Sequence, residues 1–111
     1  MTLTLDRYSA CKAACDECAD ECERCANACL DERDVHMFAT CIRLDRDCAD
    51  LCRLASTLMV RHSRFTLETC RLVAKACEAC AIECEHHAEA HCRECAGACR
   101  RCAMECMKMV A

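Results

Sequence analysis

Residues 11–29 read Cys-Lys-Ala-Ala-Cys-Asp-Glu-Cys-Ala-Asp-Glu-Cys-Glu-Arg-Cys-Ala-Asn-Ala-Cys, which places cysteines at 11, 15, 18, 22, 25 and 29. A 4-3-4-3-4 spacing is the a/d pattern of a helix seam, the place where Leu and Ile normally sit. Here every seam position is a thiol. Ala, Glu, Asp, Lys and Arg fill the gaps and are compatible with a helix whose outer face is solvated. The spacing predicts one helix, from about Leu5 to Leu30, that aims six sulfurs in one direction. Tyr8 continues the stripe toward the N-terminus.

Three further segments carry related stripes. Asp31-Glu32-Arg33-Asp34 reads as a charged connection, with Asp34 as candidate cap for a second helix over about Val35–Val60. That helix has a mixed stripe of Met37, Cys41, Leu44, Cys48, Leu51, Cys52, Ala55, Leu58 and Met59. A turn near Arg61-His62-Ser63, with Ser63 or Thr66 as cap, leads to a third helix ending near Glu85. Its stripe is Cys70, Val73, Cys77, Cys80, Cys84 and His87. The fourth follows His86-His87-Ala88-Glu89-Ala90-His91 and carries Cys92, Cys95, Cys99, Cys102 and Cys106, with Met109 next in register. Cys15–Cys29 matches Cys92–Cys106 at an offset of 77, so the first and last helices repeat one another. Four helices with short connections predict an all-α, antiparallel up-down four-helix bundle, a single domain over residues 1–111.

Composition says what fills such a bundle. Of 61 residues classed as hydrophobic, 19 are Ala and 18 are Cys, against nine Leu, two Ile and four Val. An oily core is therefore thin, and the thiols or their contents must take its place. The net charge of -4 and the absence of a basic patch argue against a nucleic-acid partner. The longest apolar run, Leu54–Val60, is broken by Ser56 and Thr57 and is too short for a membrane span. The N-terminus shows no charged region followed by an apolar run, so a cytoplasmic location is expected.

A disulfide scaffold is disfavoured. Such scaffolds use Gly and Pro at turns, whereas this chain has one Gly and no Pro. Cysteines four apart on a helix also hold their Cβ atoms about 5–6 Å apart, wider than the roughly 3.8 Å of a disulfide. Free thiols or metal thiolates remain. A lone cysteine packs as a small hydrophobe, but 18 of them on four stripes invite oxidation for no packing gain.

Thiolate-rich sites select Cu(I), zinc or iron–sulfur clusters. Zinc and iron–sulfur clusters call for convergent quartets, and the stripes offer continuous pairs instead. A zinc tetrathiolate also carries a net charge that is costly to bury in repeated copies. One Cu(I) per thiolate is neutral, so a thiol-lined tube can take up many such ions. A zinc-thiolate store and a thiol redox protein stay open as alternatives. Catalysis has little support, since no Ser/His/Asp order and no strand context for thioredoxin-like chemistry is present.

The heptad stripes Cys11–Cys29 and Cys92–Cys106, the run Cys77-x-x-Cys80-x-x-x-Cys84 and the histidines leading into Cys92 carry a resemblance that covers essentially the whole chain. The sequence resembles the bacterial cysteine-rich four-helix-bundle copper storage proteins of the cytosolic type. The resemblance implies storage of many Cu(I) ions, exchange with copper donors and acceptors, assembly into a homo-tetramer, and admission of copper at a His-bearing end. Leu44 and Val73 depart from the pattern by interrupting two stripes.

Antiparallel topology predicts two unlike ends. His36, His86, His87 and His91 gather at one, with Met37 nearby, as candidate metal-handling residues around a mouth. Leu3, Leu5, Tyr8, Leu58, Met59, Phe65, Leu67 and Met109 crowd the other.

Overall fold

The architecture comes from a computed structural model that describes residues 6–111; Leu3 and Leu5 lie outside the described residues. Ser9–Leu30 form α1. It starts later than the stripe predicts because the Asp6 side chain accepts a hydrogen bond from the Tyr8 N–H at 2.8 Å and turns the chain there. Ala39–Val60 form α2, Thr66–Glu85 α3 and Ala90–Val110 α4. The segment expected to open the second helix, Val35–Phe38, is a separate 3-10 turn. Asp34 precedes it without capping it by its side chain; its carbonyl accepts from the Met37 N–H instead. Before α3, Ser63 Oγ accepts from the Phe65 N–H at 3.1 Å. Thr66 is buried in the first turn and donates to the Ser63 carbonyl at 2.7 Å.

Each helix packs on two neighbours, α1 on α2 and α4, α3 on α2 and α4. Sulfur contacts give the direction. Along α1 and α4 the close pairs are Cys11–Cys106 at 3.6 Å, Cys18–Cys99 at 3.7 Å and Cys25–Cys92 at 3.9 Å. One number rises as the other falls, so the helices are antiparallel. Cys41–Cys84 at 3.6 Å and Cys48–Cys77 at 3.5 Å show the same for α2 and α3. The result is the up-down bundle that the four stripes predict. Among the described residues, no helix is long and apolar enough to cross a membrane.

Small residues permit this closeness. Ala19, Ala49, Ala81 and Ala98 are fully buried beside the stripes and let the backbones approach. Outside, Arg101–Glu17 ties α4 to α1, Arg53–Asp20 ties α2 to α1, and Arg100–Glu85 ties α4 to α3. These exposed pairs are each worth under about 1 kcal/mol; their contribution is to register.

At the apolar end, Tyr8, Leu58 and Met59 are buried, and Leu67 and Met109 partly so. Phe65 is 56% exposed and does not help close this end; Thr66 occupies the inward position. His62 adopts a positive φ of 49° in the turn and pairs with Asp6 at 3.0 Å.

Candidate metal centre

All 18 cysteines are free thiols and all are buried. The interior they form is continuous. Cys22 lies 3.6 Å from Cys95 and 3.7 Å from Cys99. Cys18 lies within 3.9 Å of Cys48 and 3.8 Å of Cys77, which joins α1 to both α2 and α3 across the bundle. Cys102 contacts Cys15 at 3.7 Å and Cys52 at 3.9 Å. At these separations a single soft cation touches two sulfurs at once.

Groups of four ligand atoms lie within 4.8 Å of one another, such as Cys18/Cys48/Cys52/Cys77, Cys18/Cys22/Cys48/Cys99 and Cys22/Cys80/Cys95/Cys99. Their membership overlaps. Filling one as a closed tetrahedral site removes ligands from the next, whereas shared, bridging thiolates use every sulfur. Overlap therefore favours an ion that accepts few ligands and tolerates bridges.

Cys29 and Cys92 are held protonated by their surroundings. Burial pushes Cys29 up to about 12, helped by the nearby Cys41, and raises Cys92 for the same reasons. A cation that binds such a sulfur must displace a proton.

One polar group sits among the sulfurs. Asp45, on α2 between Cys41 and Cys48, is fully buried. Cys80 donates to its Oδ1 at 3.1 Å, Cys95 at 3.3 Å and Cys84 at 3.7 Å; Cys41 donates to its Oδ2 at 3.8 Å. Burial pushes its carboxyl up to about 8, and the proximity of Cys95 adds to this. Leu44, expected to interrupt this stripe, lies only partly buried at its flank. Both 41-44-48 and 41-45-48-52 satisfy helical spacing, and hydropathy favours the first. The helix takes the second, and a protonated carboxyl surrounded by thiols avoids the cost of a buried charge. Val73 does interrupt the α3 stripe and is fully buried.

The four mouth histidines occupy different places. His91 is nearest the sulfurs: its Nδ1 lies 3.5 Å from Cys25, 3.6 Å from Cys92 and 3.9 Å from Cys29. His87 stacks on the buried Phe38 with ring centroids 4.6 Å apart, and its Nε2 pairs with Glu83 at 2.9 Å. Being in register with Cys84 does not bring its ring to a thiol, because Phe38 and Glu83 hold it. His36 and His86 are exposed at the rim, as is Met37; among the described residues neither histidine bonds a thiol. Phe38 and Glu32 were not legible as parts of this end. A partly apolar turn after a charged connection was the one available signal for Phe38.

Comparison with known proteins adds an independent finding. The profile of the copper storage protein family, Csp, matches residues 4–111. An uncharacterized cysteine-rich protein of Bacillus subtilis strain 168, YhjQ, is 46% identical over 88 residues, covering 78% of this chain and 82% of that protein. The structure of a Cu(I)-bound copper storage protein, BsCsp3, superposes with a TM-score of 0.91 at 46% identity, covering 95% of this chain and 99% of that one. A cytosolic copper storage protein from Streptomyces lividans carrying five coppers superposes with a TM-score of 0.90 at 37% identity, covering 94% and 92%.

Proposed function

This chain belongs to the copper storage protein family, and we propose that it stores many Cu(I) ions on the thiolates of its 18 core cysteines. The observation that carries the reading is the column of buried thiols, with neighbouring sulfurs at 3.5–4.0 Å and overlapping rather than separate quartets within 4.8 Å. Each bound Cu(I) takes the place of a thiol proton. The S–H bond gives way to an S–Cu bond, the proton leaves to solvent, and a fully loaded interior gains no net charge. No step in this exchange requires turnover, so the protein acts as a store and not as an enzyme.

Uptake runs through the histidine end. His91 is the innermost imidazole and touches three thiols; His87 lies against Phe38, and His36 and His86 are exposed at the rim. Neutral imidazole binds Cu(I) without losing a proton, and the softer thiolates then draw the ion inward. Donors and acceptors of copper meet the protein at this rim. The store works in the cytoplasm, where reducing conditions keep thiols free. Residues 1–111 act as one storage domain, and four copies associate as a homo-tetramer through exposed apolar side chains such as Leu54, Leu72 and Ile82.

The test is anaerobic Cu(I) titration of the reduced protein. The expected capacity is of the order of its 18 thiols. Saturation at one to four equivalents rejects storage, and preferential retention of zinc during the same titration favours the zinc-thiolate alternative.

A further inference from the structure

The geometry points to Glu32 as a positioning residue that fixes the tautomer of His91, so that Nδ1 is the nitrogen presented to the thiols. This rests on the uptake role of His91 proposed above and adds the group that prepares it.

The two ring nitrogens of His91 meet opposite demands. Nε2 lies 2.7 Å from Glu32 Oε2. A carboxylate can only accept, so in the neutral ring the proton must reside on Nε2. Nδ1 then keeps its lone pair, and that lone pair faces Cys25, Cys92 and Cys29 at 3.5–3.9 Å. Thiols donate to it in the empty protein; a soft cation replaces those donors as the protein fills. Carboxylate, imidazole and metal in a row is the arrangement by which proteins orient metal-binding histidines, and loss of the carboxylate typically costs about 10–100-fold in affinity or rate.

Glu32 is well placed for this. It lies in the connection after α1, while His91 is the second residue of α4, so the contact spans two elements and crosses the mouth. Both side chains are largely covered, Glu32 at 30% exposure and His91 at 22%. The Phe38 ring, 6.2 Å from His91, limits how far the imidazole can turn. The Glu83–His87 pair looks similar but does something different. It joins residues four apart on one helix, and the His87 ring lies against Phe38 instead of a thiol. It therefore serves as an internal control.

The experiment uses reduced, copper-free full-length protein, wild type and the variants Glu32→Ala, Glu32→Gln, Glu83→Ala and His91→Ala. Long-range proton–nitrogen NMR at about pH 8, where imidazole is neutral, reads the tautomer without any copper. Stopped-flow transfer of Cu(I) from a chromogenic chelator reads uptake, and the thermal midpoint checks the fold. Wild type and Glu83→Ala should show a single Nε2–H tautomer at His91. Glu32→Ala should show both tautomers and about tenfold slower transfer, with unchanged final stoichiometry. Glu32→Gln, whose amide oxygen still accepts, should recover much of the rate. A proton found on Nδ1 in wild type, or a Glu32→Ala variant with wild-type tautomer and rate, overturns the inference. If His91→Ala fills at the wild-type rate while Glu32 still sets the tautomer, the positioning stands and the uptake reading of the previous subsection falls.

Discussion

Replacing Asp45 by Asn should stabilise the copper-free protein at neutral pH and flatten its pH dependence. Asp45 is fully buried among thiols, with its carboxyl raised by that burial from 3.8 to about 8. A raised carboxyl favours the protonated form in the fold. The associated stability is complete below pH 3.8 and is lost as pH climbs toward about 8. Inside that window each pH unit removes about 1.4 kcal/mol, so about 4 kcal/mol has gone by pH 7. Against a total of about 5–15 kcal/mol for a domain, that loss is large. Asn has nearly the same shape and no charge at any pH. Its amide finds weaker partners than a carboxyl among thiols, which costs about 1 kcal/mol, leaving a net gain of about 3 kcal/mol at pH 7. Urea unfolding of reduced, copper-free wild type and Asp45→Asn, measured anaerobically at several values between pH 5 and 8, reads the difference directly. Parallel curves, or a variant less stable at pH 8 than wild type, would refute the reasoning.

Cys22→Ser with Cys99→Ser removes a pair 3.7 Å apart at mid-column; Cu(I) capacity should fall by about two equivalents while circular dichroism of the copper-free protein stays helical. Val73→Cys places a thiol at the fully buried gap in the α3 stripe; capacity should rise by about one equivalent, and the copper-free protein should lose about 1 kcal/mol in a urea titration for the smaller side chain. Copper should raise the thermal midpoint, since a ligand at a hundredfold excess over its Kd adds about 2.7 kcal/mol per site; equal midpoints for empty and filled protein would show that the interior is self-sufficient.

The bundle and its thiol lining were legible because one residue type carried the period. Cys11 to Cys29 specifies a helix face so strictly that the repeat in Cys92–Cys106 could be matched position by position. Where the stripe changes chemistry, reading by hydropathy failed. Leu44 and Asp45 compete for one inward slot, and nothing in a linear pattern says that neighbouring thiols will satisfy a carboxyl there. Contacts between elements were equally hidden. His87 and His91 both follow the stripes, yet Phe38, from a turn some fifty residues earlier in sequence, captures one ring, and Glu32 holds the other against the sulfurs. Phe65 illustrates the reverse case, an aromatic side chain left outside while the small hydroxyl of Thr66 turns inward to bond the chain behind it.

The two ends of the column differ in one further respect. Tyr8 and Met59 are buried in the same core as Cys11, Cys70 and Cys106, so the sulfur column has a floor at the end away from the histidines. A vessel of this shape keeps the order of its filling. Under the proposed passage of copper through the histidine end, ions that arrive early and migrate to the floor would have a long queue above them, and those held near His91 would leave first. Loaded with one copper isotope and topped up with another, the protein should release the second ahead of the first, a memory that a vessel open at both ends would not keep.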